Sequence, residues 1–174
     1  MKASSWSQDF KENAFYRLEE NIRMIHIAFS KSTNEDIWQT QNEVLNTPGN
    51  LILHLCGNMT QYIISGLGIQ PDTRDRDSEF EKQGDYSIDQ LLEKLTTTVY
   101  RVKEVIQKAT DEQLLTMYTV QGFELSGMGL ILHIVEHFSY HTGQIAFQVK
   151  LNTNKQLGFY DGMDLNKTKI SDDL

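Results

Sequence analysis

Histidines recur at every fourth position in one segment of this chain, HIVEHFSYHTGQI, which covers residues 133–145. Residues four apart lie on the same face of an α-helix, so His133, His137 and His141 form a ladder of imidazoles. Imidazole nitrogens bind transition metals, and they also pack and hydrogen-bond in ordinary helix interfaces. The spacing alone therefore leaves a metal site and a structural helix face as alternatives.

The angular positions of the ladder histidines favour one pair over the other. His133 and His141 lie about 12 Å apart along the helix axis, so one ion cannot easily bind both of them together with His137. With His137 set at zero, His141 lies at about +40°, inside an apolar arc around Ile134 and Phe138. His133 lies at about −40°, on a more polar flank. His137 and His141 therefore face the core more squarely.

A third ligand has to come from another helix, and His54 in the segment LILHLCGNM is the candidate. The polar connection at 68–86 is much longer than a simple helical hairpin requires. A connection of this length can cross the full height of a bundle, which would leave the helices on either side of it parallel and the second and fourth helices antiparallel. His54 would then lie opposite His137 and His141.

The elements that position these histidines are helical almost throughout. A single domain, 1–174, is predicted, with a polar C-terminal tail at about 152–174. Two short segments complete the pattern: a helical turn starting at Thr110 and an extended piece at 117–127. The fold class is therefore all-α, a four-helix bundle with a long crossover between helices two and three. The four long helices are predicted from Ser5 through Phe29, from Thr47 to about Gly66, from Ser87 through Ile106 and from about Ser126 to Leu151.

The composition and net charge of the chain limit its possible functions. The formal net charge of −8 at pH 7 argues against a nucleic-acid partner, which normally meets a basic face. The chain has no apolar run long enough to cross a membrane and no apolar segment typical of a secretory signal. Cys56 is the only cysteine, so no intrachain disulfide can form. We therefore expect a cytoplasmic protein that acts on a small molecule.

HLCGN around His54, followed far downstream by EHFSYHTGQI, resembles the DinB-like (YfiT-like) family of bacterial metalloproteins, and most resembles a branch of unassigned function. The resemblance covers the chain from the first helix to about residue 151. It implies a four-helix bundle, often a homodimer, and a divalent metal held by three histidines. Those histidines map to His54, His137 and His141, while His133 is additional to the family's set.

Similar proteins include thiol-dependent transferases that use bacillithiol, mycothiol or glutathione, and metal-dependent hydrolases. The resemblance thus implies a metal-dependent transferase or hydrolase, with zinc or nickel as the expected ion and a low-molecular-weight thiol as a possible second cofactor. Asn58, one turn after His54, and His133, Gln144 and Gln148 on the fourth helix are the candidates for contacts to the ligands or the substrate. No residue is assigned as catalytic.

The sequence leaves other interpretations of the histidines open. The histidines could bind metal without turnover, as in a sensor or buffer, or could serve packing alone. If the protein is a homodimer, the helix face carrying Glu136, Tyr140 and Phe147 is the candidate partner surface. Cys56 is predicted to be a packed thiol, and the charged residues at 72–82 are predicted to form a solvated loop.

Overall fold

The structure is a computed structural model that describes residues 5–81 and 84–166. Its helical content confirms the predicted all-α fold, to which a single two-stranded hairpin is added. The α-helices are α1 (Trp6–Phe29), α2 (Pro48–Met59), α3 (Ser78–Glu81), α4 (Ile88–Lys108), α5 (Asp111–Leu115) and α6 (Gly127–Thr153). A 3₁₀ turn covers Asp36–Trp38, a π-helix (Thr60–Leu67) continues α2, and the antiparallel hairpin consists of β1 (Met117–Val120) and β2 (Phe123–Ser126).

Polar caps fix where the long helices begin, as the sequence indicates. The hydroxyl of Thr47 accepts a hydrogen bond from the backbone N–H of Asn50, whose own side chain accepts from the Thr47 N–H. Ser87 and Gln90 form the same reciprocal capping box at the start of α4. Pro48 occupies the first turn of α2, where its missing N–H leaves no helical bond unmade. These local signals explain why the predicted starts of α2 and α4 are confirmed.

The four long helices pack in a ring, in which α1 and α2 each contact both α4 and α6. The ammonium of Lys11, early in α1, donates to the carbonyl of Ala109 just after α4, at 2.6 Å, so these two helices are antiparallel. Gly68 lies against Val105 late in α4, which makes α2 and α4 parallel. Two parallel neighbours need a connection that returns along the bundle, so the predicted long crossover is confirmed.

One stripe of α4 shows how the core is built. Its buried side chains follow steps of three and four residues, which place them on one face of a helix. These residues are Leu91, Leu95, Val99, Val102 and Ile106. The tail after α6 adds Leu157, which is 5 % exposed, and the carbonyl of Phe159, which accepts a hydrogen bond from Arg23.

The crossover between Gly68 and Tyr86 corrects one prediction. The charged residues at 72–82 were expected to be solvated, and those that are exposed are Asp72, Asp75, Arg76, Asp77 and Glu81, while Lys82 lies outside the described residues. Glu79, however, is 7 % exposed and the Arg74 side chain only 3 % exposed. The physical reason is the short helix α3, which places Phe80 against the ring of His54, with centroids 5.0 Å apart, and draws Glu79 into the bundle. The crossover therefore packs against His54 through Phe80 and is not a solvated connection along its whole length.

The outer face of α6 carries Glu136, Tyr140 and Phe147, all exposed. This face is accessible to a partner, and the homodimer remains a prediction.

Within residues 5–81 and 84–166, none of the helices has the length and apolar character that a membrane span requires. The cytoplasmic location also remains a prediction.

Candidate metal centre

His54 of α2 and His137 and His141 of α6 converge inside the bundle. Their ring centroids lie 5.0 Å apart for His54 and His137, 5.0 Å for His54 and His141, and 4.4 Å for His137 and His141. One nitrogen of each ring lies within 4.8 Å of the others. The antiparallel packing of α2 and α6 thus brings together the three histidines that the sequence singled out, which we call the histidine triad.

A buried carboxylate fixes the tautomer of His54. Nδ1 of His54 lies 2.9 Å from Oε2 of Glu79. An ionised carboxylate only accepts hydrogen bonds, so Nδ1 carries the hydrogen and donates it. Nη2 of Arg74, 3.1 Å from Nδ1, then contacts this nitrogen without donating to it, because its hydrogen bond goes to Oε2 of Glu79. Nε2 of His54 is then left with its lone pair, which points into the triad toward Nε2 of His137 at 2.9 Å. Carboxylates in this arrangement orient metal-binding histidines and raise their basicity.

Gln144 fixes the tautomer of His141, as Glu79 does for His54. Its side-chain carbonyl oxygen lies 2.7 Å from Nδ1 of His141, one helical turn earlier on α6. Because a carbonyl only accepts, the hydrogen of His141 lies on Nδ1 and the lone pair lies on Nε2. Two of the three imidazoles therefore have their Nδ1–H groups engaged by neighbours and keep Nε2 as an acceptor.

His137 and His141 are neutral imidazoles at neutral pH. Burial lowers the pKa of His137 to about 3, assisted by the nearby charges that His141 and His54 would carry if protonated. Burial also lowers the pKa of His141, although its hydrogen bond to Gln144 acts in the opposite direction. Neutral imidazole is the form that binds a metal ion.

Arg74 holds Glu79 in place. The guanidinium donates from Nε to Oε1 at 2.7 Å and from Nη2 to Oε2 at 2.9 Å, which is a bidentate pair. Burial raises the pKa of Glu79, but the hydrogen bonds and charges of Arg74 and His54 outweigh it and the net shift is downward. Glu79 therefore stays ionised while it is buried against His54.

Gly57 makes room for this carboxylate. A Cβ atom at this position would lie 1.9 Å from Oε1 of Glu79 and 2.9 Å from Nε of Arg74. No side chain larger than hydrogen fits without displacing the pair. Gly57 is thus a steric requirement for the approach of Glu79.

His133 lies beside the triad and belongs to a second group of contacts. Its ring stacks on Tyr62 with centroids 3.9 Å apart and on His137 at 5.4 Å. The side-chain NH₂ of Asn58 lies 3.2 Å from Nε2 of His133 and donates to it. The phenol of Tyr62 donates in turn to Gln121 at the hairpin turn. His133 is therefore a neighbour of the triad and lies outside the group of three.

Two buried side-chain carbonyls, one on α2 and one on α6, have no hydrogen-bond partner among residues 5–81 and 84–166. They are Oδ1 of Asn58, one turn after His54, and Oε1 of Gln148, one turn after Gln144. A buried carbonyl without a donor is costly, so such groups in native proteins usually meet water or a ligand. Both residues were candidates from sequence, and both present acceptors for an O–H or N–H group.

Two cavities border this region. One, of about 480 Å³, lies beside Phe80 and is walled by Asn50 and residues 40–47. The other, of about 270 Å³, lies behind Glu79 and Arg74, on the side of α4. Neither of these two cavities is lined by Asn58, Gln144 or Gln148.

Sequence reasoning missed Glu79 and Arg74. The segment has no helical period, and its charges suggest solvation. One signal was present: Phe80 is the only large apolar residue between Pro71 and Tyr86, and a lone aromatic in a charged connection indicates a docked segment.

Cys56 lies where the sequence suggested. Cys56 is buried, and burial raises the pKa of its thiol to about 11, which keeps it protonated. It faces Thr98 of α4, away from the triad, as a packed thiol. His26 is exposed on α1, on the side that faces Leu92 of α4.

Residues 5–160 match the model of a family described as a protein of unknown function, DUF1572. Two solved structures share the fold. A DinB-like protein from Bacillus cereus has a TM-score of 0.66 and 18 % identity, covering 83 % of this chain and 91 % of that one. A conserved protein from Enterococcus faecalis has a TM-score of 0.64 and 17 % identity, covering 89 % and 99 %. No curated protein matches the chain. At these identities the structural likeness shows the fold, and it confirms the DinB-like resemblance.

Proposed function

This chain belongs to the DUF1572 family, and we propose that its DinB-like bundle is a metal-dependent enzyme in which His54, His137 and His141 bind one divalent ion. The observation that supports this most strongly is the set of tautomers. Glu79 and Gln144 engage the Nδ1–H groups of His54 and His141, so both Nε2 lone pairs are available inside the triad. Packing alone does not require this arrangement, whereas metal ligation does.

The donor set fits zinc or nickel, because three neutral imidazoles suit either ion and leave coordination positions for other ligands. When bound, such an ion would act as a Lewis acid that activates water or a thiol at neutral pH. The negative charge of Glu79 raises the basicity of His54 through the Nδ1 hydrogen bond, and the Arg74 pair fixes the angle of that carboxylate.

The unpartnered acceptors Asn58 and Gln148 would orient the substrate by accepting from its O–H or N–H groups. The reaction class that fits this centre is nucleophilic displacement: hydrolysis with water, or S-transfer with a low-molecular-weight thiol. Both use the same ligands and the same buried acceptors, and differ only in the nucleophile.

A second candidate is a metal-binding protein without turnover. Its support is the enclosure of the site: His54 and His141 are 6 % and 8 % exposed, and neither bordering cavity is lined by Asn58, Gln144 or Gln148. A buffer or sensor needs ion access alone, whereas an enzyme needs space for a substrate.

Turnover assays on zinc-loaded and nickel-loaded protein distinguish the two candidates. The substrates are activated esters for hydrolysis, and a halogenated nitroarene with glutathione or bacillithiol for S-transfer. We expect metal-dependent turnover that His137→Ala abolishes and that His26→Ala, which removes an exposed histidine, retains. Stoichiometric metal binding without turnover above the level of His137→Ala would reject the enzyme and favour the buffer or sensor.

A further inference from the structure

The cavity behind Glu79 is separate from the face of the triad that His137 and His141 form. It lies between the crossover, the α2 and π-helix segment, and α4, and has a volume of about 270 Å³. Cys56 and Gly57 form its floor, and Lys94, Thr98 and Arg101 form the wall from α4. Lys94, Thr98 and Arg101 follow steps of four and three residues, so one face of α4 presents all three.

The charge of this wall is opposite to that of the whole protein. Lys94 and Arg101 form no ion pair or side-chain hydrogen bond within the described parts of the chain, 5–81 and 84–166. The carboxylate of Glu79 is already neutralised by Arg74, so two free cations face one carboxylate, that of Asp75. A net positive wall on a chain of formal net charge −8 selects anions.

Hydroxyl donors complete the wall. Thr60 of the π-helix and Thr73 of the crossover also line the cavity, and neither side chain has a hydrogen-bond partner among the described residues. Unengaged hydroxyls together with a guanidinium and an ammonium are the donors that phosphate oxygens accept from in proteins. Carboxylates accept from the same kinds of donor, so the test below compares the two classes of anion directly.

We propose that this cavity binds the phosphoryl group of a small phosphorylated metabolite. Lys94 and Arg101 supply the charge, and Thr60 and Thr73 supply neutral donors. The cavity exceeds the size of inorganic phosphate, so the ligand carries a short organic portion over Cys56 and Gly57. The site needs none of the histidines of α6, and it stands independently of metal binding.

Isothermal titration calorimetry on full-length protein treated with a chelator tests this proposal. The probes are inorganic phosphate and glycerol 3-phosphate, with succinate to represent carboxylates and glycerol as the uncharged comparison. We expect saturable binding of both phosphates, tighter for glycerol 3-phosphate. Lys94→Ala and Arg101→Ala should each weaken it by about tenfold, as expected for loss of a charge-assisted contact.

Two control variants make the result specific. Lys150→Ala removes an exposed charge from α6 and should leave binding within about twofold of the original protein. His26→Ala removes an exposed side chain of α1 that does not line the cavity, and it should also retain binding. The proposal is overturned if neither phosphate binds, if succinate binds and the phosphates do not, or if Lys150→Ala or His26→Ala weakens binding as much as Lys94→Ala does.

Discussion

Replacing Glu79 by Gln tests whether the crossover carboxylate holds His54. The substitution keeps the size of the side chain but removes its charge. Glu79 accepts two hydrogen bonds from Arg74 and one from His54, and the side chains of the ion pair are 3 % and 8 % exposed. A glutamine retains one acceptor oxygen, while its NH₂ group would face the donors of Arg74 or His54.

The expected loss of stability in Glu79→Gln follows from the burial of the ion pair between Glu79 and Arg74. Breaking a buried ion pair by removing one partner costs about 3–5 kcal/mol, because the remaining charge is left uncompensated. For a chain of this size each kcal/mol lowers the melting temperature by roughly 2–4 °C, so Glu79→Gln should lower it by about 6–20 °C. Loss of the carboxylate behind a metal-binding histidine should weaken metal affinity by about 10–100-fold.

The assay is thermal unfolding of chelator-treated protein followed by circular dichroism, with zinc affinity measured separately against a competing chelator. The matched control is Glu81→Gln, which makes the same chemical change two residues away at an exposed position of α3. If Glu79→Gln and Glu81→Gln have equal melting temperatures and equal zinc affinities, Glu79 does not hold His54 and the reasoning is refuted.

Two further perturbations test the same region. Gly57→Ala should lower the free energy of unfolding by about 1–3 kcal/mol, because its Cβ would overlap Oε1 of Glu79. Gly143→Ala, where a Cβ meets no atom within 4 Å, should be neutral or stabilising by up to about 1 kcal/mol; equal denaturation midpoints for the two variants would contradict this. The low pKa of His137, about 3 against an ordinary 6.5, means that the unfolded chain binds a proton in this range while the folded chain does not. The free energy of unfolding should therefore fall as the pH is lowered from 6.5 toward 3, less steeply in His137→Asn, and identical urea midpoint profiles from pH 7.5 to 5 would reject this.

Much of the fold follows from local chemistry that a sequence displays. Thr47 and Ser87 are capped by residues three positions later, and the stripe of α4 repeats at helical spacing, so these elements are predictable without tertiary information. The position of His54 opposite α6 follows from the length of the crossover, because the chain must travel the height of the bundle.

The features that the sequence does not predict depend on contacts between segments that are distant along the chain. The burial of Glu79 requires Gly57 on another helix, the docking of Phe80 and the guanidinium of Arg74, and none of these produces a period in the sequence. The π-helix after Met59 is a change of hydrogen-bond register by one residue, and helical periodicity over a single turn does not resolve it. His133 was expected near the pocket, and its stacking partner Tyr62 lies in this π-helix.

The central claim is that the histidine triad binds one metal ion, and elemental analysis after equilibrium dialysis against zinc and nickel tests it most directly. Untagged protein and His133→Ala, which alters a neighbour outside the triad, should each retain about one ion per chain at neutral pH. His137→Ala should retain none. Protein that retains neither ion, or retains as much in His137→Ala as without the substitution, would contradict the account and leave the triad a structural feature of the bundle.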